Sequence, residues 1–69
     1  MQELTERQNE IYNFIKDYRN KYGYSPSRQD IADGIGIHTS TLKNHLFAMD
    51  KKGVLTWEEK IPRSITLSA

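Results

Sequence analysis

Residues 27 to 53 divide into two short helices with a tight glycine turn between them, a spacing that leaves few folds open to a chain of 69 residues. Ser27 stands where a side-chain oxygen accepts from an early helical N–H, and Asp30, three positions on, reaches back to complete a capping box. A helix is therefore expected from Arg28. Ile31, Ala32 and Ile35 follow at helical spacing, and Gly36 supplies the positive φ that closes a helix of about two turns. Thr39 or Ser40 offers the next N-cap, and Leu42, Leu46 and Met49 recur at i, i+4 and i+7 before Gly53. The second helix of the pair is expected over about 40–52, with one apolar stripe.

At about 100° per residue, Asn44 lies almost opposite that stripe. Ser40 and Thr41 fall near it, and Lys43 and Phe47 sit at the margin. A helix-turn-helix pair presents the first two turns of its second helix to the major groove of DNA. There an amide side chain binds adenine bidentately, and hydroxyls or lysine reach bases and phosphates. The candidate DNA contacts are Ser27, Arg28 and Gln29 where the pair begins, His38 and Thr39 in the turn, and Ser40, Thr41, Lys43 and Asn44 on the second helix. Taken singly, each is as well explained as a solvated polar residue; their shared place in the motif favours contact.

The flanks complete a scaffold. Thr5 as N-cap, Gln8 at the capping-box position and Ile11, Phe14, Ile15, Tyr18 and Tyr22 on one face predict a first helix that ends at Gly23. Tyr24–Ser25–Pro26 reads as an extended connector forming at most one edge bridge, because proline disfavours helix in the residue before it. After Gly53 the pattern alternates, so Val54–Trp57 and Ser64–Leu67 are expected as strands around a loop from Glu58 to Arg63. The fold class is thus mainly α with a small β hairpin. It is a winged helix-turn-helix of three helices plus a two- or three-stranded antiparallel wing. Residues 57–64 form the wing, and Lys60 and Arg63 are its candidate contacts to the DNA backbone, with Pro62 stiffening the approach of Arg63.

Sixty-nine residues make one domain, 1–69, near the lower end of what a single core stabilises without staples. There is no cysteine, which excludes disulfides and thiolate metal sites and points to a reducing, intracellular setting. No apolar run is long enough to span a bilayer, and Met1–Gln2–Glu3 lacks the character of a signal peptide, so no membrane partner is expected. The net charge of +1 is modest. Residues 1–37 carry five Lys or Arg against six Asp or Glu, whereas residues 38–69 carry five against three, placing the positive excess with the DNA-facing elements.

Catalysis has no visible machinery here. No nucleophile stands beside a base, no glycine loop cradles a phosphate, and Asp30 and Asp33 read better as a cap and a solvated face than as an acid–base pair. His45, beside the apolar stripe, is expected to pack, and no second ligand at metal spacing accompanies it. The chain is expected to be no enzyme and to need no cofactor or metal. Trp57 is expected to anchor the hairpin, and Phe47 either packs under the wing or stays exposed on a contact surface. That exposure and the low net charge support an alternative, a winged-helix protein–protein interaction module. RNA binding ranks lower for want of an aromatic stacking sheet.

Several segments together resemble one known family. They are Leu4–Thr5 with Arg7–Gln8, Gly23–Tyr24–Ser25–Pro26–Ser27, Ile31–Ala32, Gly36, Ser40–Thr41, His45–Leu46, Lys52–Gly53–Val54–Leu55 and Pro62–Arg63–Ser64–Ile65–Thr66–Leu67. In order and spacing they are similar to the N-terminal DNA-binding domain of the LexA repressors, over nearly the whole chain. The resemblance implies a transcriptional repressor domain of bacterial or phage origin, cytoplasmic and nucleoid-associated, whose third helix docks in the major groove. Its implied partner is double-stranded DNA, a palindromic operator bound by two such domains as a homodimer on DNA. The stretch from Gly36 to His45 runs slightly shorter than is usual in that family. LexA continues into a self-cleaving serine–lysine peptidase domain that these residues do not supply, so self-cleavage is not carried over.

Overall fold

The computed structural model describes residues 3–68. It comprises α1 (Glu6–Tyr22), α2 (Arg28–Ile35), α3 (Thr39–Lys51), β1 (Leu55–Thr56) and β2 (Thr66–Leu67). The two strands pair antiparallel, Leu55 opposite Leu67 and Thr56 opposite Thr66. This is the expected winged helix-turn-helix, with a two-stranded wing. Among the described residues no helix is long and apolar enough to cross a membrane.

Local chemistry sets the helix starts. The Thr5 hydroxyl accepts from the Gln8 N–H and the Gln8 side chain accepts from the Thr5 N–H, both at 3.2 Å. Ser27 and Asp30 make the same exchange at the start of α2, both bonds at 3.0 Å. Each box satisfies two donors that a helix leaves orphaned, and an N-cap is worth about 1 kcal/mol. α1 stops at Gly23, whose φ of 81° is left-handed and turns its N–H back onto Arg19 O.

The core gathers one stripe from each element: Ile11 and Ile15 from α1, Ile31 and Ala32 from α2, Leu42, Leu46 and Met49 from α3, and Leu55, Trp57 and Ile65 from the hairpin region. α1 and α2 approach closely at Gly34. A Cβ there would lie 2.2 Å from Phe14 Cε2, so the absence of a side chain is what lets the Phe14 ring lie across α2. The far end of the core is tied by Lys52, whose ammonium donates to Gln8 Oε1 at 2.6 Å and to Glu3 O at 3.0 Å.

Two local expectations change. The N-cap of α3 is His38, not Thr39 or Ser40, and it makes no side-chain capping bond. The reason lies in the turn: the N–H groups of Gly36 and Ile37 both donate to Ala32 O, at 2.8 and 3.0 Å, so α2 is closed within two residues and His38 O is free to accept from Leu42 N–H. The strands are also shorter than 54–57 and 64–67. Val54 spends its N–H on Met49 O at the end of α3, and the Ser64 hydroxyl bridges the wing by accepting from the Glu58 N–H and donating to Glu58 O, both at 2.9 Å. The Tyr24–Ser25–Pro26 connector forms no strand bridge, within the expected limit of one, and the buried Ser25 hydroxyl donates to Ile65 O and holds the returning limb of the wing.

Candidate nucleic-acid interface

Because α3 starts at Thr39, directly after the tight turn, its N-terminal end comes close to that of α2. The two ends and the wing enclose an open cleft of about 470 Å³ lined by Ser27, Arg28, Gln29, Thr39, Ser40, Lys43 and Pro62. Six of the eleven residues singled out from sequence are therefore brought together. The N–H groups of the first turn of α3 have no side-chain cap from His38, which leaves the positive end of the helix dipole available at the cleft.

Charge at this cleft is more structured than the net value suggests. The Lys43 ammonium forms an ion pair with Glu59 of the wing, linking α3 to the loop that follows β1. Lys43, with smaller effects from Arg28 and Lys60, holds the Glu59 carboxyl below the usual carboxylate range. Three cations thus favour one carboxylate's charge, with Lys43 its ion-pair partner. The Arg28 guanidinium also sits 5.7 Å from the centroid of the Trp57 ring, and that ring lies 5.1 Å from Phe47. Trp57 is buried, as expected for a hairpin anchor, whereas Phe47 packs against it and is still 51% exposed. Phe47 thus both packs against the wing anchor and stays half exposed.

The other expected contacts lie outside the lining of the cleft. Thr41 and Asn44 are exposed on α3, His38 is exposed in the turn, and Lys60 is exposed in the wing. Gln29, at the cleft, donates its amide N–H to Asp33 Oδ1 at 2.8 Å. Arg63 is exposed but anchored. Its Nη1 pairs with Asp30 Oδ2 at 3.0 Å and donates to Ser25 O at 3.1 Å, and the guanidinium lies 5.0 Å from the Tyr24 ring centroid. Its backbone is left-handed, with φ at 55°. Sequence alone marks Arg63 only as a wing cation; its bracing contacts, like the Lys43–Glu59 pair, emerge only in the fold. No local pattern marks either. His45 is half-buried on α3, consistent with packing.

The sequence matches known proteins. The model of the LexA DNA binding domain family matches residues 1–64. The LexA repressors of Staphylococcus aureus strains Newman and USA300 are each 40% identical over 68 residues, covering 97% of this chain. The chain spans 33% of the length of these relatives. Capped helices, glycine turn, cleft and wing thus coincide with a family match across nearly all of the sequence, and the chain belongs to the LexA DNA-binding domain family.

Proposed function

We propose that the chain binds double-stranded DNA sequence-specifically, as the operator-reading domain of a LexA-like transcriptional repressor. The observation that carries this reading is the cleft. Two helix N-termini, Arg28 and Lys43 converge on one concavity, the arrangement that receives a backbone phosphate and fixes a reading helix in register. In this reading α3 enters the major groove, Asn44, Thr41 and Ser40 face base edges, and Ser27, Arg28, Gln29, His38, Thr39 and Lys43 hold the flanking backbone. The wing, residues 57–64, lies on the adjoining backbone through Lys60. Arg63 serves chiefly as the brace that sets the wing's position.

Two domains on a palindromic operator, pairing as a homodimer only on DNA, follow from the symmetry that half-site readers exploit. The setting is the cytoplasm of a bacterium, as for the relatives' host. The function is regulatory binding without catalysis. Selection of bound sites from a random duplex pool tests the proposal, because it returns base preference, symmetry and half-site spacing together. A palindromic enriched site supports the reading, and a pool that stays random contradicts it.

A second reading, a winged-helix protein-interaction module, draws on Phe47 and Ile61, large apolar side chains exposed on α3 and the wing. It makes the opposite prediction for the pool selection.

A further inference from the structure

Glu59 places a negative charge on the face that the proposed function turns toward DNA. Its ion pair with Lys43 joins the reading helix to the wing, and Arg28, which lines the same cleft as Lys43, acts on the same carboxylate. Both partners are more than a third exposed. A pair this exposed adds little to folding stability, since solvent screens the attraction and two side chains are ordered to make it. Its consequence is greater for what Lys43 is free to do. A lysine already neutralised by a carboxylate gives a phosphate nothing until that carboxylate is displaced.

We propose that Glu59 is a specificity-determining residue that withholds Lys43 from backbone phosphates, so that non-specific duplex binding is suppressed until α3 is seated on a matching site. This rests on the DNA-binding reading and deepens it. When the domain meets a duplex of arbitrary sequence, Lys43 exchanges one anion for another and releases few counterions in doing so. Glu59 meanwhile faces the phosphates as a like charge. On a matching site, base contacts along α3 hold the helix close enough for the exchange to be completed. Affinity for random sequence is therefore lowered more than affinity for the operator, which is how a charge opposed to the wrong partner creates specificity.

The test compares the 69-residue chain with E59Q, E58Q and Lys43→Met, and with E59Q combined with Lys43→Met, for binding to a random-sequence duplex pool across a salt series. Glu58 is the control, because it lies in the same loop and holds Ser64 through its backbone. E59Q is expected to bind the random pool about two- to fivefold more tightly at low salt, the range of a solvent-exposed ion pair. Its log–log salt slope should steepen by up to about 0.9, one additional phosphate neutralised. E58Q should show a smaller gain and no change of slope, and E59Q should lose its effect in the Lys43→Met background. Thermal melting of E59Q should match the parent. If E59Q behaves as E58Q does, or keeps its full effect without Lys43, the withholding role is wrong while DNA binding stands. If the parent and every variant fail to bind any duplex, the DNA reading itself fails and this inference with it.

Discussion

Arg63 Nη1 lies 3.0 Å from Asp30 Oδ2, joining the returning limb of the wing to the residue that caps α2. The same carboxylate oxygen accepts from the Tyr18 hydroxyl at 3.2 Å, so α1, α2 and the wing meet at one side chain. The pair sits between the scaffold and the reading face and fixes how the wing stands relative to the cleft.

Replacing Arg63 by Ala is expected to lower stability only modestly, because solvent screens the exposed guanidinium and its ion pair with Asp30. Lysine should not restore it, because one ammonium cannot reproduce the planar contact with Tyr24 together with the bonds to Asp30 and Ser25. Urea denaturation of R63A and R63K checks this.

Acid should expose the role of Asp30. The Ser27 backbone N–H first, then the Ser27 hydroxyl, Tyr18 and Arg63, hold its carboxyl below the usual carboxylate range. A carboxylate whose folded pKa is depressed contributes stability above its unfolded pKa, and that stability is lost as pH falls through the folded value. The parent should therefore lose stability below about pH 4. D30A should be less stable at neutral pH and show a shallower loss on acidification, measured by melting temperature against pH.

Gly34→Ala tests the crossing of α1 and α2. Alanine gains up to about 1 kcal/mol in helix propensity, but its Cβ collides with the Phe14 ring, and overpacking costs about 1–3 kcal/mol. The net effect should be destabilising in the parent and should turn stabilising in a Phe14→Ala background. Equal effects in both backgrounds would remove Phe14 as the cause.

Base reading and backbone contact separate by mutation. Asn44→Ala should cost about 1–3 kcal/mol at one operator position and relax specificity there. Lys60→Ala should weaken binding to all sequences alike and flatten the salt slope by about one unit. Competition binding with single-base operator variants distinguishes the two.

Much of this molecule could be read directly because its signals are local. Thr5 with Gln8, Ser27 with Asp30, Gly23 and Gly36 act within a single turn of chain, and the apolar stripes of α1 and α3 follow from helical period alone. The start of α3 is not marked by residue type, because Thr39 and Ser40 are good caps in isolation, whereas the shared acceptor Ala32 O shortens the turn. Arg63 with Asp30, Lys43 with Glu59, and Phe14 over Gly34 join residues far apart in sequence. Such contacts exist only once the helices have packed. They determine how the wing and cleft are arranged, and for that reason the site was less readable than the fold.

The most direct test is a heteronuclear NMR titration of the chain with random-sequence duplex at low salt. Shifts are expected to concentrate at residues 27–29, 39–44 and 59–62, with the exposed face of α1 unmoved. No shifts at those residues, or shifts confined to Phe47 and the Tyr22–Tyr24 surface, would contradict DNA binding.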